Sequence, residues 1–471
     1  MRHWTTESAA KIAAGILMGD SKLEVQGCII DSRQAKGGEM FFALPGEKVD
    51  GHDYIESAWQ KGAVLAVADQ AHFQGEMAKP SVPEGKALLL VDSVYTALQV
   101  LAQSWRKELK AKVVGVTGSN GKTTTKDMIY SVLAQEFPVY CNKENHNNEL
   151  GLPMTILNAP LGTEILILEM GMRGLGEIKA LCEIAKPDIG VITNIGTTHM
   201  ELLLTQERIA QAKWELIETL PKDGTAIINA DDLYSAQKAK NDGHKILFYG
   251  LEGTFAEPDI KGSGLRSSGP LGTIFDVTFK QETLTADLPL PGTHNVLDAL
   301  AALAVGTVCG VSLTKGCLGL RALEMSKMRL EMRQGCRETT LINDVYNANP
   351  VSMKASLNIL KERAGQKKTL AILGDMYELG NSAESGHQDV GQAVALLGVN
   401  YLITVGKLAT EIAQGARKAG YAAEQIMVTY SRKEAAEKAL ELLRSWESGT
   451  WVLIKGSRGM RMEEITALLE R

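Results

Sequence analysis

Residues 117–125 carry the residue types that a nucleotide phosphate requires. The segment is Thr-Gly-Ser-Asn-Gly-Lys-Thr-Thr-Thr, so Gly118 and Gly121 lack side-chain bulk, Lys122 supplies an ammonium and Thr123 a hydroxyl. Backbone N–H groups of such a loop can point at phosphate oxygens, and the hydroxyl can bind Mg²⁺. We therefore predict that ATP is bound by Gly118, Ser119, Asn120, Gly121, Lys122, Thr123 and Thr124.

The elements around this loop come in the order that a phosphate site requires. The apolar run 113–116 predicts a strand before the loop, and residues 126–130 continue a helix that begins at its end. The pattern is Gly-x-x-Gly-Lys-Thr, shorter than the standard eight-residue loop, because Val116 stands five positions before Gly121. An ordinary glycine turn with an exposed lysine is the alternative, and Lys-Thr at the helix start argues against it.

Three further polar residues follow or lie within later elements. Glu169 ends the apolar run 165–168, His199 lies beyond the run 189–193, and Lys213 lies in the amphipathic stretch 207–220. Glu169 stands where open α/β sheets place their ligands. Each residue also has a simpler interpretation: a surface salt bridge, a hydrogen-bonded loop histidine and a solvated lysine. Residue type alone leaves these alternatives open.

Composition narrows the class of protein. The 471 residues are enough for about three domains. The net charge of -6 argues against nucleic-acid or membrane-surface binding. Six cysteines without a Cys-x-x-Cys pair indicate reduced thiols in a cytoplasm. The N-terminus lacks the apolar core of a signal peptide, and the longest apolar stretch, 299–313, is too short to span a bilayer. We expect a cytoplasmic protein without membrane insertion.

The order of apolar runs and helical stretches predicts an α/β fold with three domains. Residues 1–92 form a small α/β module, and residues 93–325 form a central domain of the P-loop type with a parallel sheet. Alternating residues between 262 and 291 predict a small β-insertion in that domain. Residues 326–471 predict a Rossmann-like domain, although its Gly-x-Gly-x-x-Gly fingerprint is absent.

The short loop resembles that of the Mur ligases, the ATP-dependent amide-forming enzymes that build the peptide stem of bacterial cell wall, and of folylpolyglutamate synthetases. The similarity begins at residues 115–125. It continues, in the order of the family's blocks, at residues 169–171, at 193–196 with His199, and at 211–215.

This resemblance implies roles for the polar residues beyond the loop. Thr123, Glu169 and His199 are expected to bind Mg²⁺, two ions in all. Lys213 is expected to react with CO₂ to form a carbamate, which would be an additional metal ligand. Lys122, His199 and Lys213 are then the expected catalytic residues. Nothing in the spacing of Lys213 shows the carbamate.

Other matching blocks concern the nucleotide. The segment 291–300 resembles the block that contacts adenine, with Asn295 at the base edge, although a helix N-cap there is also expected. Arg329 and Asp344 match nucleotide-binding residues of the family's last domain. Because these two residues lie across a domain boundary from Lys122, we expect closure of the third domain to complete the ATP site and exclude water.

Further segments resemble one member of the family, which adds D-alanyl-D-alanine to UDP-N-acetylmuramoyl-tripeptide through an acyl phosphate. They include residues 31–33, 41–53, 145–151, 346–350 and 455–458. The products would be ADP, phosphate and the UDP-muramoyl-pentapeptide precursor of peptidoglycan. The substrate-binding residues implied are Ser32, Arg33, Asn145, Asn147, Asn148, Tyr346, Asn347 and Asn349.

Two other activities stay open at this point. A sister ligase could add a diamino acid to a shorter muramyl peptide, although the Asp-Asn-Pro-Arg block of such enzymes is not found, and residues 31–33 argue against a folate substrate. A P-loop ATPase that changes the angle between its domains is the second alternative. We expect a monomer because no exposed heptad or long apolar patch demands a partner.

Overall fold

A computed structural model describes residues 4–46, 49–73, 81–143, 146–196, 203–269, 272–324 and 326–470. These residues form three main β-sheets with helices packed on their faces, which confirms the predicted α/β class. None of the helices in these ranges combines the length and hydrophobicity that a bilayer crossing requires.

The first sheet is built from the N-terminal region. Its strands, in spatial order, are Ile16–Gly19, Ala87–Val91, Leu65–Asp69, Glu39–Phe42 and Gly27–Ile29. The first pair is antiparallel and the others are parallel. A short antiparallel pair, Trp4–Thr5 with Glu24–Val25, lies beside it. Its helices are Thr6–Ala13 and Ile55–Gln60.

The second sheet carries the phosphate loop. Its nine strands, in spatial order, are Glu282–Leu288, Gly272–Phe279, Ile260–Ser268, Lys245–Gly250, Thr225–Asn229, Ile189–Ile192, Lys112–Thr117, Ile165–Glu169 and Val139–Cys141. The last seven pair in parallel, and the first two add antiparallel strands. The predicted β-insertion is therefore an antiparallel extension of the central sheet.

Helices cover both faces of this second sheet. They are Val94–Leu109, Lys122–Leu133, Gly151–Asn158, Glu177–Ala185, Gln206–Glu218, Leu233–Ala239, Thr293–Cys309 and Leu313–Arg321. The strand Lys112–Thr117 is central and almost wholly buried, as its apolar run predicts for a parallel strand covered on both faces.

The third sheet contains the five predicted strands and one edge strand that the sequence analysis did not identify. Its spatial order is Glu331–Gln334, Thr340–Asp344, Trp451–Lys455, Thr369–Gly374, Tyr401–Val405 and Ile426–Thr429. Only the edge strand pairs antiparallel. The helices are Pro350–Ala364, Ala383–Leu396, Thr410–Lys418, Arg432–Ser445 and Glu463–Leu469.

The first and second sheets share one hydrophobic core. It extends from Trp4 to Ala239 and includes Trp105 of the helix Val94–Leu109. The Trp4 and Trp105 rings meet edge to face at 5.4 Å, and the Trp4 indole donates to Glu108 Oε1 at 2.7 Å. The helix that precedes the phosphate loop is therefore fixed by residues from the first sheet.

The third sheet is attached to the second through an arginine. Arg363, in the helix Pro350–Ala364, donates to Ser267 Oγ at 2.6 Å, to the Gly269 carbonyl at 2.7 Å and to the Gly272 carbonyl at 3.1 Å. These acceptors lie at the tip of the antiparallel extension. The extension of the second sheet thus contacts the helix Pro350–Ala364 of the third sheet.

Candidate active site

The phosphate loop occupies residues 118–121, between the strand Lys112–Thr117 and the helix Lys122–Leu133. Gly118 and Gly121 have φ values of 152° and 80°, in the region that favours glycine. A Cβ at Gly118 would collide with the Thr193 hydroxyl. The predicted arrangement of strand, glycine loop and helix start is therefore confirmed.

Lys122 lies over the loop that it follows. Its Nζ donates to the Gly118 carbonyl at 2.8 Å and to the Ser119 carbonyl at 3.4 Å. Burial lowers the pKa of Lys122, while the carboxylate of Glu169 opposes this effect. The ammonium is thus held at the mouth of the loop by backbone carbonyls.

The Thr123 hydroxyl is shared by two charged side chains. It donates to Glu169 Oε2 at 2.7 Å and accepts from Arg329 Nη2 at 2.8 Å. Glu169 belongs to the second sheet, and Arg329 comes from the segment before the third sheet. This contact brings three predicted site residues from two regions of the chain to one point.

Two asparagines orient Glu169. Asn142 accepts from the Glu169 backbone N–H at 2.9 Å and donates to its carbonyl at 3.1 Å. Asn147 Nδ2 donates to Glu169 Oε1 at 2.8 Å. Both carboxylate oxygens of this buried side chain therefore have protein partners, one of them Thr123.

Residues near the start of the third sheet close the other side of the site. Asp344 is buried, its Oδ2 accepts from Lys455 Nζ at 2.6 Å and from Ser356 Oγ at 2.7 Å, and its Oδ1 accepts from the Leu330 N–H at 3.3 Å. Burial opposes ionisation of Asp344, but Lys455 and the hydrogen bonds still lower its pKa. The carboxylate is thus fully engaged and orients the segment that carries Arg329.

Arg329 and Asn349 reach the phosphate loop from this side. The Arg329 guanidinium lies 4.0 Å from the centroid of the Tyr346 ring. Asn349 accepts from the Ser352 N–H at 2.9 Å as the N-cap of the helix Pro350–Ala364 and donates from Nδ2 to Asn120 Oδ1 at 2.6 Å. The helix cap is therefore also a direct contact with the loop.

These residues line a single cavity of about 650 Å³. Among the predicted residues, its wall contains Ser119, Asn120, Gly121, Lys122, Thr123, Thr124, Asn147, Asn148, Glu169, Asn295, Arg329, Asp344, Tyr346, Asn347 and Asn349. A cavity of this volume is in the range that holds a small-molecule substrate or cofactor.

The helix Thr293–Cys309 forms another part of the wall. Asn295 Nδ2 donates to the Pro291 carbonyl at 2.6 Å, and burial lowers the pKa of His294. One turn later, the buried Asp298 accepts from Thr125 Oγ1 at 3.0 Å. Burial raises the pKa of Asp298 to about 8, although the Thr125 hydroxyl and Arg329 favour ionisation.

Lys213 is a buried lysine near enough to Lys122 for the two positive charges to repel. It belongs to the helix Gln206–Glu218 and is 1% exposed, and among the described residues it does not line the cavity. Over the same ranges, its ammonium has neither a hydrogen-bond acceptor nor a carboxylate partner. Burial and the positive charge of Lys122 lower the pKa of Lys213 well below its usual value.

The predicted substrate residues of the N-terminal region lie elsewhere. Ser32 and Arg33 are in the first sheet's region, where the Arg33 side chain is 82% exposed and pairs with Asp31 Oδ2 at 2.7 Å. They are not in the described wall of the cavity. His199 and Asn145 lie outside the described residues.

Sequence reasoning assigned no role to Asn142, Asp298 or Lys455, although the last two lie in segments that resemble the family. Asn142 follows the short strand Val139–Cys141, which was not predicted. Nothing in the sequence therefore indicated that Asn142 contacts Glu169. Asp298 has the helical spacing of three from Asn295, which could have placed both on one face. Lys455 ends a predicted strand, and Asp344 ends the parallel strand beside it. Both residues therefore lie at the carboxyl ends of strands, where ligands bind in open α/β sheets.

Comparisons with known proteins agree with this geometry. Profiles of the Mur ligase family match at residues 116–306 (Mur ligase middle domain), 328–458 (Mur ligase, glutamate ligase domain) and 24–106 (Mur ligase family, catalytic domain). The chain is 37% identical over 463 residues to UDP-N-acetylmuramoyl-tripeptide--D-alanyl-D-alanine ligase of Bacillus subtilis (strain 168), covering 98% of this chain and 97% of the relative.

Solved structures give the same result. A crystal structure of MurF from Acinetobacter baumannii superposes with a TM-score of 0.85 at 29% identity, covering 99% of each chain. MurF ligase from Thermotoga maritima in complex with ADP superposes with a TM-score of 0.77 at 28% identity, covering 96% of this chain and 98% of that one. With its phosphate loop, its residues from two sheets around one cavity and these matches along its length, the chain belongs to the Mur ligase family.

Proposed function

We propose that this protein is an ATP-dependent ligase that joins D-alanyl-D-alanine to UDP-N-acetylmuramoyl-tripeptide, giving the UDP-muramoyl-pentapeptide, ADP and phosphate. One observation carries the proposal: Arg329 and Asn349, from the third-sheet region, reach the nucleotide site around one cavity. Arg329 hydrogen-bonds to Thr123 in the first turn after the loop, and Asn349 to Asn120 of the loop. The relative from Bacillus subtilis, matched over almost the whole chain, is named for this reaction.

The reaction proceeds in two steps. The terminal carboxylate of the tripeptide attacks the γ-phosphorus of ATP, ADP leaves, and an acyl phosphate forms. The amine of D-alanyl-D-alanine then attacks the acyl carbon, a C–N bond forms, the amine loses a proton to solvent, and phosphate leaves with the electrons of the broken C–O bond. Lys122 and the loop N–H groups stabilise charge on the β- and γ-phosphates, as preorganised donors do.

The third-sheet residues make this charge stabilisation depend on domain closure. Arg329 meets the loop at Thr123 and is stacked on Tyr346. Its position is fixed by the backbone contact between Leu330 and the buried Asp344. Withdrawal of this region would remove a guanidinium from the phosphates, so closure completes the ATP site and excludes water.

The oxygen atoms beside Lys122 suit Mg²⁺. Thr123 Oγ1 and Glu169 Oε2 are 2.7 Å apart, and hydroxyl and carboxylate oxygens are ligands that this hard cation prefers. Bound Mg²⁺ would neutralise phosphate charge. We assign Thr123 and Glu169 to one ion, with His199 and a carbamylated Lys213 as further ligands for two ions in all.

The carbamate on Lys213 is supported by the surroundings of that lysine. Its pKa is lowered by burial and by Lys122, which favours the neutral amine, the form that reacts with CO₂. A carbamate would place an anion close to Lys122, where burial and that lysine disfavour the protonated amine. The group would thereby gain the charge partner that the described surroundings of Lys213 do not provide.

The other parts of the proposal concern organisation. We assign residues 1–92 to the UDP-muramoyl substrate, with Ser32 and Arg33 in contact with it, 93–325 to ATP, and 326–471 to a Rossmann-like domain that closes over the ATP site. Residues Asn145, Asn147, Asn148, Tyr346, Asn347 and Asn349 are assigned to substrate. The protein acts as a cytoplasmic monomer that binds neither nucleic acid nor membrane.

Phosphate release tests the proposal. Purified protein is mixed with Mg-ATP and UDP-N-acetylmuramoyl-tripeptide, with and without D-alanyl-D-alanine, and the products are weighed by mass spectrometry. Release that requires both substrates, with the pentapeptide mass, is expected. A diamino acid accepted instead of the dipeptide would indicate the sister ligase, and release without any amine would indicate an ATPase.

A further inference from the structure

Asp298 is a buried acid that the proposed reaction does not use. It lies in the helix Thr293–Cys309, which packs against the helix Lys122–Leu133, and it is 6% exposed. It lines the same cavity as Lys122 and Asn295. A carboxyl group at this depth, beside a site for an anionic nucleotide, requires a physical explanation.

The carboxyl group of Asp298 is packed against the phosphate loop. A Cβ at Gly121 would lie 2.5 Å from Asp298 Oδ1 and 2.9 Å from Oδ2, so both oxygens face the backbone of that glycine. Oδ1 also lies 3.0 Å from the Thr125 hydroxyl, one turn into the helix that follows. Asp298 therefore contacts the loop on its last residue and on the first helical turn.

The surroundings of Asp298 act on its ionisation in opposite directions. Arg329 favours the carboxylate, while Tyr249 is a buried phenol whose pKa is raised by burial and, when Asp298 is ionised, by its negative charge. Burial outweighs the favourable contacts and raises the pKa of Asp298 to about 8, so the acid is mostly neutral at pH 7. Phosphate groups bound at the loop would oppose ionisation further, because like charges repel.

We propose that Asp298 is a positioning residue of the phosphate loop that acts as an uncharged hydrogen-bonding group, and that a charged carboxylate at this position weakens ATP binding. The inference rests on the proposed function in so far as the loop binds ATP. Through the Thr125 hydroxyl and the close contact with Gly121, the neutral group holds the loop in the shape that its glycines allow. An asparagine has the same shape and no charge, and should replace it.

Direct binding of ATP tests this role. Dissociation constants are measured by calorimetry for wild type, Asp298→Asn and Asp298→Leu at pH 7 and pH 9.5, with Asp276→Asn on the distant strand Gly272–Phe279 as a matched control. We expect Asp298→Asn to bind within about twofold of wild type at pH 7 and Asp298→Leu about tenfold more weakly, the loss of one hydrogen bond and its packing.

The pH dependence separates a charge effect from a purely structural one. Between pH 7 and pH 9.5, wild type and the Asp276 control should lose affinity for ATP severalfold more than Asp298→Asn does. Equal losses in wild type and Asp298→Asn, or an Asp298→Asn as weak as Asp298→Leu, would overturn the inference. A wild type that binds no ATP at either pH would overturn the proposed function and this inference with it.

A second measurement does not depend on ATP. The folded protein holds the Asp298 proton more tightly than the unfolded chain does, because the pKa of this carboxyl group is 3.8 in the unfolded chain. The contribution of Asp298 to stability is therefore complete below about pH 4 and is lost as the pH rises towards about 8. Urea unfolding should show wild type losing stability relative to Asp298→Asn across this window; a constant difference would contradict a neutral Asp298.

Discussion

Lys126 and Lys213 are both buried lysines of the nucleotide-binding region, and they differ in their partners. Lys126 is 2% exposed, pairs with Asp127 Oδ1 at 2.9 Å and donates to the Asn142 carbonyl at 2.9 Å. Burial opposes its charge, but Asp127, Cys141 and Glu169 together outweigh burial and the pKa is raised. Lys213, 1% exposed, has no carboxylate partner among the described residues, and its pKa is lowered well below the usual value.

The difference separates a structural cation from a reactive amine. A buried charge persists where a counter-charge and hydrogen bonds accompany it, as they do at Lys126. Where they are missing, the pKa falls, and the neutral amine that this favours is a nucleophile. The structure thus provides an internal control, since each substitution at Lys213 can be matched by the same substitution at Lys126.

The largest expected effect is that of Lys213→Ala on turnover. If the carbamate is a metal ligand, its loss should lower kcat by at least about 10³-fold, since metal and charge stabilisation supply several kcal/mol. A short-chain carboxylic acid in the buffer should restore part of the activity, because its carboxylate can occupy the space of the carbamate. Steady-state phosphate release with and without added acid measures both effects.

Lys126→Ala is the matched control for that rescue. Its defect should not respond to the acid, because Lys126 supplies a cation to Asp127 and no anion to the cavity. Recovery of neither variant, or of both equally, would leave Lys213 without a special role.

The next effect is on stability. Lys126→Met leaves Asp127 buried without its positively charged partner, which should lower the free energy of unfolding by about 3–5 kcal/mol. Lys213→Met replaces an unpaired amine by an apolar side chain of similar length, and should cost less than about 1.5 kcal/mol. Urea denaturation of both variants in CO₂-free buffer gives the comparison, and equal losses would contradict the difference in pairing.

Lys122 is intermediate between these two lysines in the partners of its ammonium group. It is held by backbone carbonyls and faces Glu169. Lys122→Ala should lower kcat by about 10²-fold or more, which corresponds to about 2.7 kcal/mol of transition-state stabilisation. Added carboxylic acid should not restore it, because the missing group is a cation. Full activity of this variant would refute the assignment of the phosphate loop.

The sequence predicted the loop and most strands because their signals are local. The strand Lys112–Thr117, the glycines and Lys122 are consecutive, and apolar runs marked the strands of the third sheet. The contact of Arg329 with Thr123 joins residues 206 positions apart, and only the resemblance to the family indicated it. Spacing along the chain carries no information about such pairs.

The environment of Lys213 could not be predicted from the sequence for the same reason. Its helix was predicted at 207–220 and is observed at Gln206–Glu218, but an amphipathic pattern gives only the face on which a lysine lies. Whether that lysine has an acid beside it depends on which other elements pack there. The same limit applies to Asp298, whose approach to Gly121 depends on the packing of two helices.

The smallest predicted effect is the dependence of stability on pH. Lys213 has a folded pKa below that of the unfolded chain, so between these two values only the unfolded chain holds the proton. Without CO₂, wild type should therefore gain stability relative to Lys213→Met as the pH rises towards 10.5, by at most about 1.4 kcal/mol per pH unit. The pH dependence of stability should have the opposite sign for Lys126. Its pKa is raised, so its contribution to stability is constant below pH 10.5 and is lost as the pH rises through the pKa of the folded protein.

Bicarbonate then distinguishes a neutral lysine from one that reacts. At constant pH and ionic strength, its addition should stabilise wild type and leave Lys213→Met unchanged, because CO₂ binds only the folded protein's amine and shifts the unfolding equilibrium by mass action. Lys126→Met should respond as wild type does, since it retains Lys213. A response of Lys213→Met equal to that of wild type would assign the effect to salt, and the comparison of the two lysines would then concern stability alone.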